Sequence, residues 1–350
     1  MGKNIVIFSD GTGQMGGVGS NTNVYKLFNM IEDRTDRQIA YYDPGLGTDW
    51  RKITGLLNGR GISKNILDCY RFIFENFQAD DQIYLFGFSR GAATVRSLSG
   101  FIHLFGVLPI SRADLLEQAY RIYKIKNKDQ RKERAEAFIE KHHTMWCKIR
   151  LLGVWDTVAA LGLPIKIGSG LMDKLFPHNF HSFDLSESVE FARQALSIDE
   201  ERKTFHPVLW NPIENDKVGK MKQVWFCGVH TDVGGGYKEE ELSNITLKWM
   251  IQEATAKGLI IYEKSPAYKK LLASNPDVDG VMHNEQKHFP GKLLKRLKRS
   301  WDKTTHGEPY IHESVFKRTK NNENADSPKY SSWIFEIIDK EKPFIEPWVK

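Results

Sequence analysis

The sequence predicts an α/β protein with a mostly parallel central sheet flanked by helices, and three observations carry that expectation. Short apolar runs recur along the chain, separated by longer stretches of helical periodicity. Each run ends in a loop rich in Gly, Asp, Ser or His. With 350 residues, 41% of them hydrophobic and 27% charged, the chain has the composition and the length to bury a full core.

The first element is a strand from Ile5 to Phe8, followed by the loop Ser9-Asp10-Gly11-Thr12-Gly13. A second strand spans Gln82 to Phe86 and runs into Gly87-Phe88-Ser89-Arg90-Gly91 and then a helix of small residues from Ala92. The charged stretch between Pro109 and His143 reads as a helical insertion, solvated on its outer face. A third strand, Ile149 to Val154, leads to Asp156, and the next, Gln223 to Val229, leads to His230. From Gly258 the pattern weakens, and about 258–310 is expected to form a helical or irregular cap. In open parallel sheets ligands bind beyond the carboxyl ends of the strands, so these loops are expected to converge.

The composition also excludes classes. The formal charge of +6 is spread among interleaved acidic residues, which does not imply nucleic acid as a partner. Cys69, Cys147 and Cys227 lie far apart with no CxxC pair, which suggests neither a disulfide framework nor a zinc site. The apolar run at Ile5–Phe8 is too short for a secretory core or a membrane span. A cytoplasmic chain is expected, with export only by a signal-independent route. Residues 291–301, GKLLKRLKRSW, alternate leucines with basic residues at helical spacing. That segment reads as a surface helix with its apolar stripe in the core, or as a peripheral contact with an anionic membrane.

Chemistry is concentrated at the strand ends. A serine hydroxyl becomes a nucleophile when a base takes its proton and a sharp strand-to-helix turn presents its Oγ. Gly87 and Gly91, two residues either side of Ser89, are the small residues such a turn needs to close. The N–H of Arg90, at the helix N-terminus, would face a developing oxyanion. In this architecture the acid and then the base follow the serine in chain order, which selects Asp156 and His230. Asp232 is the alternative acid and His312 the alternative base. The loop after the first strand is a candidate second oxyanion donor through the N–H of Gly11 or Thr12, with Asp10 bracing it. A haloacid dehalogenase type phosphatase also opens with a strand and Asp-Gly-Thr. It needs a nucleophilic Asp where this chain has Phe8.

Taken together, five segments resemble the DUF2235 family, which includes the catalytic part of phospholipase effectors of bacterial type VI secretion. They are Ser9 to Thr12, Tyr42 to Thr48, Gly87 to Ala92, Gly153 to Val158 and Gly228 to Tyr237. The resemblance runs from about Lys3 to Tyr237. It implies an α/β-hydrolase-like fold, a triad on Ser89, Asp156 and either His230 or His312, and hydrolysis of phospholipid or other acyl esters.

The expectation is therefore a single α/β-hydrolase-like domain over 1–350 acting as a serine esterase or lipase, with no cofactor or metal. Its partner would be a lipid or small ester substrate. Two alternatives stay open. One is a metal-dependent phosphohydrolase using Asp10, Asp156, Asp232 and His230, and the other is a binding protein that keeps the fold without the chemistry.

Overall fold

In the computed structural model the described residues are 2–11, 16–17, 19–45, 60–158, 185–213, 216, 219–274, 276–285, 295–321, 330–339 and 343–348. Eight strands form one sheet in the order β2-β1-β3-β4-β5-β6-β7-β8. They are β1 (Asn4–Ser9), β2 (Gln38–Asp43), β3 (Gln82–Phe88), β4 (Ile149–Trp155), β5 (Val189–Ser197), β6 (Met221–Phe226), β7 (Tyr310–His312) and β8 (Phe344–Glu346). Every pairing among them is parallel. A parallel sheet is covered on both faces, so its strands read as continuous apolar runs.

β1 shows how this works: all six of its residues are buried. Ile5 and Ile7 join a core on one face, and Val6 and Phe8 join a second core on the other. The first core is closed by α2 (Arg60–Asn76), α3 (Arg90–Phe105), α4 (Leu115–Tyr123) and α5 (Lys128–His142). The second is closed by α1 (Asn23–Phe28), α6 (His230–Gly234), α7 (Glu241–Thr255) and α8 (Pro266–Ala273). A third, smaller cluster under β6 and β7 includes Leu196, Trp225, Trp301, Ile311 and Ile334.

The strand order reverses direction at β1. The chain leaves β1 toward β2, returns to β3 on the other side and then proceeds outward to β8. The crevice beyond the carboxyl ends of β1 and β3 is the topological switch point, where ligands bind in open α/β sheets. Ser9–Gly11 and Ser89 lie there.

Two expectations are corrected. His230 does not follow the next strand after Asp156, because β5 intervenes. Its sequence, VEFARQALS, places Arg193 and Gln194 in the sheet interior and so breaks the apolar run. The amphipathic helix over 291–301 is also absent from its described part, 295–301. That part is extended and lies along 201–203, with Lys203 N–H donating to Lys295 O and Leu297 N–H to Glu201 O. Arg299, assigned by periodicity to a basic outer face, is instead buried with a carboxylate partner. Residues 291–294 and Thr12 lie outside the described residues.

Candidate active site

Ser89 joins β3 to α3 with φ 58° and ψ −120°. An L side chain rarely adopts that backbone, and it persists only where surrounding structure enforces it. The enforcement comes from close packing. A Cβ on Gly91 would sit 2.0 Å from Ser9 O, and one on Gly87 would sit 2.6 Å from Gly91 O. Only glycines let the turn close against β1. Ser89 N–H donates to Trp155 O (3.1 Å), which ties the turn to the end of β4.

Asp156 follows β4 and is itself strained, with φ 40°. It is fully buried. Its Oδ2 is 2.5 Å from His230 Nδ1, and its Oδ1 accepts the Ser197 N–H at the end of β5 (3.0 Å). Arg299 completes the set: Nη1 donates to Oδ1 (2.6 Å) and Nη2 to Oδ2 (2.8 Å). Burial by itself pushes the Asp156 carboxyl up. The adjacent Arg299 guanidinium and the bond to His230 more than reverse this and hold it well below the usual carboxylate range.

His230 opens α6 and is buried. Its ring lies between Phe88 (centroids 4.6 Å apart, 32°) and Phe205 (5.0 Å, 74°). Its backbone N–H donates to Glu200 Oε2 (3.3 Å), and Arg202 holds Glu200 through Nε (2.8 Å) and Nη2 (2.7 Å). With Nδ1 committed to Asp156, Nε2 is buried and has no hydrogen-bond partner among the described residues. Phe88 immediately precedes Ser89, so the imidazole is packed beside the turn that carries the hydroxyl.

The first loop also reaches this point. A Cβ on Gly11 would lie 3.4 Å from Ser89 Cβ. Asp10 is buried and accepts from Thr22 Oγ1 (2.6 Å), Tyr42 OH (2.7 Å) and the Gly11 N–H (2.7 Å). The Gly11 amide is thus turned onto its own neighbour in this structure. Arg90, the first residue of α3, stands where helix amides lack intrahelical acceptors.

The alternative acid and base sit in other bonding networks. Asp232 accepts from Val229 N–H (3.0 Å) and His283 N–H (3.1 Å), and its Oδ1 is 2.7 Å from His283 Nδ1. His312, at the end of β7, has Nδ1 2.8 Å from Ser314 Oγ and its ring stacked on Phe226. Burial pushes the His312 imidazole down to about 3. The carboxylates of a metal-dependent reading do not share a site, since Asp10, Asp156 and Asp232 each have separate partners. Among the described residues no group of three or more His, Cys, Asp or Glu is placed to hold a metal ion.

Sequence reasoning missed Arg299, Glu200 and Phe205. Nothing in KRLKRSW separates Arg299 from the basic residues around it. Glu200 stands between two other acids and gives no motif.

Residues 3–253 match the model of the T6SS phospholipase effector Tle1-like catalytic domain. The uncharacterized protein YEL023C of Saccharomyces cerevisiae is 30% identical over 256 residues, 66% of this chain and 36% of the yeast protein. An uncharacterized protein from Pseudomonas aeruginosa of known structure is 18% identical with a TM-score of 0.47, over 78% of this chain and 48% of its own. The Tle1 effector bound to the VgrG spike of the type 6 secretion system is 19% identical with a TM-score of 0.35, over 68% and 52%. The chain therefore spans about a third of the yeast relative and about half of each solved chain. With a match that covers well over half of its length, the chain belongs to the family of Tle1-like phospholipase effector catalytic domains of type VI secretion.

Proposed function

We propose that this protein is a carboxylic ester hydrolase that cleaves an acyl ester of a phospholipid through Ser89, His230 and Asp156. The observation that carries the reading is His230, with Nδ1 fixed on a buried, ionised Asp156 and Nε2 left for a proton, packed beside a strained serine turn. Phospholipid as the substrate class is supported by the family.

In this reading Ser89 Oγ attacks the ester carbonyl as its proton passes to His230 Nε2. The carbonyl oxygen, now negative, faces the Arg90 N–H. The C–O bond to the glycerol oxygen breaks as that oxygen takes the proton from His230. Water, deprotonated by the same nitrogen, then attacks the acyl-serine, and the C–O bond to Ser89 Oγ breaks as that oxygen takes the proton back from His230 and the fatty acid leaves. Asp156 keeps its charge throughout, holding the ring orientation and stabilising the imidazolium.

The test is fatty-acid release from mixed phosphatidylglycerol and phosphatidylethanolamine vesicles, with p-nitrophenyl butyrate in parallel. Ser89→Ala and His230→Ala are expected to lose at least about 10⁴-fold in kcat on both while folding normally. Turnover retained in folded Ser89→Ala would overturn the serine mechanism. Cleavage of the butyrate alone would leave the mechanism and overturn the phospholipid assignment.

A further inference from the structure

The proposed acid carries a second buried ionic partner that the mechanism does not require. Arg299 is 2% exposed, and both of its terminal nitrogens are doubly used. Nη1 donates to Asp156 Oδ1 and to Ser197 O (2.7 Å), and Nη2 to Asp156 Oδ2 and to Phe205 O (2.8 Å). A planar fork matched to both oxygens of one carboxylate fixes the plane of that carboxylate as well as its charge. The two carbonyl bonds in turn fix the fork to the end of β5 and to the turn that carries Phe205, whose ring is packed against His230.

The arginine arrives from a distant part of the chain. The extended segment 295–301 pairs with 201–203 and delivers Arg299 inward between exposed Lys298 and Ser300. It lies beyond residue 253, where the family match ends.

We infer that Arg299 is a positioning residue for the reaction, clamping Asp156 so that His230 is held in one orientation with its Nε2 directed to Ser89, and that segment 295–301 is part of the active-site construction. The inference rests on the Ser89, His230 and Asp156 reading. A second consequence concerns protons. Against the push of burial, the guanidinium is the largest influence holding the Asp156 carboxyl in its charged form. Among the described residues, the other charged or titratable groups facing Asp156 and His230 are Glu200, whose carboxylate is occupied by Arg202, and His206, whose ring burial pushes toward its neutral form. Removing the Arg299 charge therefore raises the proton affinity of the Asp156 carboxylate, and the acid limb of the reaction that depends on it moves up.

The experiment measures the second-order rate of inactivation by a fluorophosphonate across roughly pH 5 to 9. The proteins compared are the wild type, Arg299→Gln, Arg299→Lys and Ser89→Ala, each checked for cooperative unfolding. In Arg299→Gln the midpoint of the acid limb is expected to rise by about one pH unit or more, with a plateau lowered about tenfold. Arg299→Lys keeps the charge without the fork, so its midpoint stays near that of the wild type while its plateau falls severalfold. Folded Arg299→Gln with a wild-type midpoint and plateau would overturn the inference. If Arg299→Gln does not fold, Arg299→Lys decides: a wild-type plateau there excludes orientation by the fork. Inactivation that persists in Ser89→Ala would instead overturn the triad reading itself, whatever the arginine variants do.

Discussion

Ser89 and Asp156 are two of only four non-glycine residues with positive φ among the described residues. Strain of this kind costs about 1–3 kcal/mol per residue and tends to accumulate where geometry serves chemistry. Ser89→Gly is accordingly expected to stabilise the fold by about 1 kcal/mol while abolishing ester hydrolysis. Chemical denaturation read beside activity checks it, and a Ser89→Gly variant less stable than the wild type would contradict it. Asp10 is predicted to show in the pH dependence of stability. Burial, against its bonds from Thr22, Tyr42 and Gly11, pushes this carboxyl up to about 6 from 3.8. A raised value means that the protonated form is favoured in the fold, so this contribution is complete below 3.8 and is lost as pH rises through about 6. Relative to Asp10→Asn, the wild type should lose up to about 3 kcal/mol between acid and neutral pH. Thermal melts of both proteins at each pH test the sign. At this scale Ser89, Asp156 and His230, the residues proposed as nucleophile, acid and base, could be picked out because each sits next to a strand end with a distinctive motif. Arg299 was not, because a charged residue in a basic run shows nothing of its burial.

Among the elements, the contact between β1 and α3 sets the geometry of the turn. Because an added Cβ at Gly91 meets Ser9 backbone rather than a flexible side chain, Gly91→Ala must push α3 away from β1. A loss of at least about 3 kcal/mol is expected, together with loss of activity out of proportion to the fraction unfolded. Unchanged denaturant midpoints would refute that account of the turn. The strands that sequence reading found, β1, β3, β4 and β6, are the ones with unbroken apolar cores. β5 was missed because buried Arg193 and Gln194 interrupt the apolar run of VEFARQALS, Gln194 bonding to Gln223 and Thr157, and β2 is an edge strand whose buried ends, Gln38 and Asp43, are polar. β7 and β8, three residues each, are too short for periodicity to register.

For the molecule as a whole, the family match ends at residue 253 but the core does not. Trp301, Ile311, Val315, Tyr330 and Ile334 cover Leu196, Ile198 and Trp225. A chain ended at 253 would leave β6 as a long apolar edge and Asp156 without its arginine. It is expected to lack a cooperative melt and to bind a hydrophobic dye, and native-like near-ultraviolet circular dichroism would contradict this. Among the described residues no helix is long and apolar enough to cross a membrane. The central claim, that Ser89 is an activated nucleophile on this scaffold, is tested most directly by treating the folded protein with a fluorophosphonate and locating the adduct by mass spectrometry. The account predicts a single adduct on Ser89, absent from Ser89→Ala and strongly suppressed in His230→Ala. A folded wild type that takes no adduct, or takes it elsewhere while Ser89→Ala still hydrolyses lipid esters, would contradict it.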